Sequence, residues 1–110
     1  MMRVSVEGNL RRRTRIGFGV FRKERWNDEP FHWEQVVSPD SQEKSEHVLD
    51  AFRIGCLPKA ERVFINATIR GRPYVLGEVQ MDVDRNFSFS ILSVSGMEIH
   101  GRIHCETLPS

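Results

Sequence analysis

Met97-Glu98-Ile99-His100-Gly101-Arg102-Ile103-His104-Cys105 alternates strictly, with Met97, Ile99, Ile103 and Cys105 on one side and Glu98, His100, Arg102 and His104 on the other. Successive side chains of a strand point to opposite faces, so this stretch reads as a strand with one buried and one wet face. Ile99 and Ile103 are then core residues, and His100 and His104 face water. Upstream, Val75, Val79, Met81 and Val83 alternate with Glu78, Gln80 and Asp82. Phe87, Phe89 and Ile91 alternate with Ser88 and Ser90, after which the apolar phase moves to Leu92 and Val94, as a β-bulge would make it. Val63, Ile65, Ala67 and Ile69 form one more run. Turn residues separate these runs at Arg70-Gly71-Arg72-Pro73, Asp84-Arg85-Asn86 and Ser95-Gly96. The second half is therefore expected to be a four-stranded antiparallel meander over about 62–70, 74–83, 87–95 and 97–105, with 74–83 paired to 87–95.

The first half reads as strands around Val4 and Val6, around Ile16, Phe18 and Val20, and around Phe31, Trp33 and Val37. Phe18 shares its phase with Ile16 and Val20, which assigns it to the core. Between the halves, Ser38-Pro39-Asp40 with Glu43 looks like a helix start, Val48, Ala51 and Phe52 make an apolar stripe, and Gly55 suits the residue after a helix end. One helix is expected inside 39–55. The fold class is thus α+β and β-dominated: a curled antiparallel sheet or partly open β-barrel, with one helix inserted between strands 3 and 4.

The 110 residues, with 39% hydrophobic and 28% charged side chains, make a single domain over 1–110 and exclude a disordered or collagen-like chain. No apolar run is long enough for a transmembrane segment, and the N-terminus does not resemble a secretory signal. A cytoplasmic protein is expected, with Cys56 and Cys105 as reduced, buried thiols; spacing alone leaves a disulfide open.

A formal net charge of +1 conceals segregation. Residues 1–25 hold eight basic side chains against two acids, 26–51 one against seven, 52–72 five against one, and 73–110 two against five. Opposite-signed regions favour self-association into a homo-oligomer or a polyanionic partner for the basic region. The basic group is Arg11, Arg12, Arg13, Arg15, Arg22, Lys23 and Arg25, interleaved with Phe18, Phe21 and Trp26. Arginine forks onto phosphates and aromatic rings stack on bases, so these seven are the candidate polyanion-binding residues. A blander reading pairs them with Asp28, Glu29 or Glu34 on neighbouring strands.

Gly17-Phe18-Gly19-Val20-Phe21 resembles the strand motif of RNA-recognition and cold-shock domains, but the first needs a strand, a helix and a second strand ahead of it, where only a short segment stands here, and the second is poor in helix. Leu92-Ser93-Val94-Ser95-Gly96-Met97 resembles the Ser-x-x-Gly segment of cyclic-dinucleotide-binding PilZ domains, although Ile91 stands where that motif has Asp or Asn. Arg11 and Arg15 fit the paired-arginine spacing, Arg-x-x-x-Arg, of PilZ domains but stand far upstream, and the first resemblance covers five residues. His100 and His104 lie roughly 13 Å apart along a strand at ~3.3 Å per residue, too far to share a metal ion. No nucleophile elbow, Walker A or dinucleotide-binding pattern occurs, and neither a cofactor nor a catalytic residue is expected.

The reading is a small non-enzymatic binding and assembly protein that self-associates and contacts nucleic acid or an acidic membrane surface. Size and charge alone associate it with viral, phage or mobile-element accessory proteins. The alternative is a protein-binding inhibitor or immunity-type module using acidic 27–50. An enzyme or small-ligand binder with a site in a barrel mouth ranks third.

Overall fold

The computed structural model describes residues 1–92 and 96–109, and for 15, 16, 21 and 22 the backbone alone. Eight strands follow one another: β1 (Met2–Phe18), β2 (Phe21–Val37), β3 (Ser45–Leu49), β4 (Phe52–Leu57), β5 (Arg62–Ile69), β6 (Arg72–Gln80), β7 (Asn86–Leu92) and β8 (Glu98–Thr107). They form two antiparallel four-stranded sheets, ordered β2-β1-β8-β7 and β3-β4-β5-β6. The inner faces meet in a shared core. Val4, Val6, Ile99, Ile103 and Cys105 of the first sheet pack toward Phe52, Ile54, Cys56, Val63, Ile65 and Val79 of the second, all buried. Ile99 and Ile103 are core residues as their phase requires, and His104 is exposed with His100 partly so.

The expected helix inside 39–55 does not form, so the fold is all-β among the described residues rather than α+β. The segment is a hairpin instead. Asp50 takes a positive φ of 49° at the turn, a conformation Asp tolerates, and β3 and β4 pair from Ser45↔Cys56 to Leu49↔Phe52. The stripe of Val48, Ala51 and Phe52 was a coincidence of spacing: Val48 is exposed while Phe52 alternates with buried Ile54 and Cys56. Gly55 ends no helix. It sits in β4, where an added Cβ would stand 2.6 Å from the Phe64 ring and from the Ser45 carbonyl oxygen.

The four-stranded meander is also corrected. β5 pairs with β6 and β7 with β8, but β6 and β7 belong to different sheets. Residues 81–85 cross from one sheet to the other instead of turning a hairpin, with Met81 buried as the chain passes over the core and Val83 exposed. In β6, Gly77 lies opposite Ile65 and Val75 opposite Asn66, leaving Leu76 as an extra residue. That bulge swaps the faces and turns Val75 outward. Leu92 ends β7 exposed opposite Glu98; the expected phase change at Val94 lies outside the described residues.

The first two expected strands are one. β1 runs 17 residues and pairs with β2 along its whole length, from Met2↔Val37 to Phe18↔Phe21. β8 accompanies β1 only from Met2 to Arg11. Beyond Arg11, β1 and β2 continue as a two-stranded ribbon, seven residues per strand or about 23 Å at ~3.3 Å per residue. The radius of gyration, 16.3 Å, accordingly exceeds the roughly 13 Å of a compact chain this long, and the longest dimension is 62 Å.

Candidate functional site

The ribbon carries all seven sequence-selected basic residues, with Arg11 at its base. Its tip is a two-residue turn, Gly19-Val20, with Gly19 at a φ of +64° that suits its first position. Phe18 and Val20 are 95% and 92% exposed, which overturns the assignment of Phe18 to the core. The alternation there is real, but the ribbon extends past β8 and the second sheet, and none of the described residues packs against Phe18 or Val20 in a core cluster.

Folding residues 1–25 against 26–51 converts much of the charge segregation into cross-strand pairs. Arg3 meets Glu34 at 3.0 Å, Arg11 meets Asp28 at 2.9 Å, and Arg12 reaches Glu29 at 3.6 Å and also Asp50 of the β3–β4 turn. Arg13 pairs with Glu24 and lies over the Trp26 ring, 5.7 Å from its centroid. These pairs are exposed, where an ion pair contributes about 0–1 kcal/mol, so they orient side chains more than they stabilise the fold. Lys23 and Arg25 have no ion-pair partner among the described residues. The side chains of Arg15 and Arg22 lie outside the described residues. Between Arg12 and Asn27 the chain holds six basic residues and one acid, Glu24, so pairing leaves the ribbon strongly positive.

Two further arginines belong to this end of the molecule. Thr68 donates its N–H to the Ala51 carbonyl at 2.8 Å, which sets the β5–β6 turn beside the β3–β4 turn that Arg12 touches. Arg70 and Arg72 flank Gly71 there and are exposed. The sequence reading counted their charge without grouping them with the ribbon, because only the pairing of β4 with β5 brings the turns together.

Compared with known proteins, this chain matches no family model, no curated protein and no solved structure.

A second polar feature is the outer face of the first sheet. Glu7, Asn9, His32, His100 and Arg102 border an open depression of about 470 Å³. His100 Nε2 lies 2.7 Å from Glu98 Oε2, and Ser90 Oγ 3.0 Å from His100 Nδ1. A carboxylate only accepts, so Nε2 donates to Glu98, and in the neutral ring Nδ1 is then left to accept from the Ser90 hydroxyl. This Ser-His-Glu chain lies flat on the sheet beside β8, whose backbone is engaged on both sides by β1 and β7. The chain orients His100 across two strands.

Proposed function

We propose that this protein is a non-enzymatic binding and assembly module that presents a basic β-ribbon to a polyanion, either nucleic acid or an acidic membrane surface. The observation that carries the reading is the placement of six basic residues against one acid on a projection that no other strand of the described residues accompanies. The acids of 27–50 favour this over a module reading a basic partner, because Asp28, Glu29, Glu34 and Asp50 are engaged by arginines. Self-association is part of the proposal. β6 is an edge strand with Tyr74, Val75 and Leu76 exposed, and an open apolar edge is a template for pairing with another copy.

The test replaces Arg11, Arg12, Arg13 and Arg15 by Gln and measures binding to labelled duplex DNA and to anionic vesicles at several salt concentrations. On DNA, each lost phosphate contact should reduce the log–log salt slope by roughly 0.9. Wild type that binds neither polyanion at low salt sinks the reading and directs attention to a protein partner.

A further inference from the structure

We propose that the ribbon tip, Phe18-Gly19-Val20, inserts into the interface of an anionic lipid bilayer while the basic residues behind it bind lipid phosphates. This inference rests on the polyanion reading and narrows it to one partner.

The first support is exposure. Phe18 and Val20 are the two most exposed of the described large hydrophobic residues, and they sit at the extreme end of the longest projection of the molecule. The second is the order of residues along the ribbon. From Ile16 to Phe21 the sequence is apolar or glycine, followed on the two strands by Arg15 and by Arg22-Lys23. On β1 the apolar run behind the turn is Ile16 to Phe18, about 10 Å at ~3.3 Å per residue, whereas on β2 it is Phe21 alone, because Arg22 lies opposite Gly17 and Lys23 opposite Ile16. An apolar end one to three residues deep, about 3–10 Å, overlaps the roughly 5–10 Å to which interfacial apolar groups enter the headgroup and acyl boundary. The first basic residues then fall at the level of the phosphates, and each Lys or Arg near an anionic surface contributes to attraction. The ribbon is thus polarised along its length, apolar then cationic, in the order in which a bilayer presents headgroup charge over hydrocarbon.

A nucleic acid offers phosphate along the whole ribbon and base faces for Phe18 to stack on, but it does not present charge over hydrocarbon in the order in which the ribbon carries cationic and apolar residues. The same geometry limits the depth of entry. Each ribbon strand has one edge without a ladder partner, and unpaired backbone groups are costly in hydrocarbon. Entry therefore stops at the interface.

The experiment compares wild type, Phe18→Ser/Val20→Ser and Lys23→Gln/Arg25→Gln for sedimentation with phosphatidylcholine vesicles, with and without phosphatidylserine, and for binding to duplex DNA. Thermal melts of each variant confirm folding, since neither Phe18 nor Val20 touches the core clusters. The expected result is binding of wild type only when phosphatidylserine is present. The Ser variant should lose about tenfold or more in vesicle affinity while keeping its DNA affinity, and the Gln variant should lose affinity for both. A Ser variant that binds phosphatidylserine vesicles like wild type overturns insertion and leaves the polyanion reading standing. Wild type that binds DNA and not vesicles gives the same division, with nucleic acid as the partner. Wild type that binds neutral vesicles equally well, or neither target, overturns both.

Discussion

Gly8 and Gly101 stand opposite each other across the β1–β8 pair, and the same row continues to Phe31 on one side and Phe89 on the other. A Cβ on Gly8 would collide with the His100 carbonyl oxygen and lie 2.6 Å from Gly101 Cα. A Cβ on Gly101 would stand 2.6 Å from the Glu7 carbonyl oxygen and from the Phe89 ring. The two glycines let the central strands approach and leave room that the flanking aromatic rings cover. Because backbone must yield, Gly8→Ala is expected to cost at least about 2 kcal/mol, toward the upper part of the range for overpacking. Urea denaturation reads this directly. A loss below about 0.5 kcal/mol would mean the strands are not so close.

The facing of β8 makes a sharper contrast. Ile103 is 1% exposed, while His104 points outward, with Nδ1 donating to the Asn86 side-chain oxygen at 2.7 Å. Ile103→Ala should destabilise by ~2–5 kcal/mol. His104→Ala should stay within ~0.5 kcal/mol. Equal losses in denaturant melts would reverse the two faces.

The ribbon should be dispensable for stability. Beyond Arg13, none of its described side chains joins a core cluster. Joining Arg13 to Trp26 through Asn-Gly, the dipeptide favoured in two-residue hairpin turns, removes the projection and keeps the pairs of Arg11 and Arg12. The shortened protein is expected to melt within a few degrees of wild type, since a change of about 1 kcal/mol moves Tm by roughly 4–8 °C at this size. Loss of cooperative folding would show that the ribbon helps to hold the sandwich.

What the sequence made legible follows from period two. The phases of Val4 and Val6, of Val63, Ile65 and Ala67, and of Ile99, Ile103 and Cys105 correspond to buried faces. Alternation gives a residue's side of a strand, but not which strand lies next to it. Asp84-Arg85-Asn86 has turn chemistry whether the chain reverses within a sheet or crosses to another, so the separation of β6 from β7 was hidden. Alternation also does not reveal whether anything stands opposite. Phe18 has the phase of a core residue but lies beyond the last β8 partner of its strand, paired with β2 alone. The helix reading failed because Val48, Ala51 and Phe52 satisfy helical spacing, although Phe52, Ile54 and Cys56 already alternated. The basic cluster was visible as composition. Its concentration on a ribbon, and the neighbouring Arg70 and Arg72, depend on pairing partners distant in sequence.

Cys56 and Cys105 lie in one core cluster as free thiols. Burial raises both above the ordinary value of 9.0. At Cys56 the Ser45 backbone hydrogen bond partly opposes that rise, and at Cys105 the Asp84 carboxylate adds to it. The thiolate is the reactive form, so both cysteines should resist alkylation in the native protein and react together once it unfolds. The raised values also set a pH dependence. Below about pH 9 both states hold their thiol protons and the cysteines contribute no slope. As pH rises through 9.0 the unfolded chain ionises first while the folded chain keeps its protons. Unfolding then releases protons, and stability falls by at most about 1.4 kcal/mol per pH unit for each thiol until the folded thiols ionise as well. The measurement that isolates the thiols is a difference: stability of wild type minus that of Cys56→Ala/Cys105→Val, followed by urea melts from pH 7 to above 9.0. The double variant should show the shallower decline. Parallel curves would place these thiols in contact with water, and rapid alkylation of the folded protein would show the same.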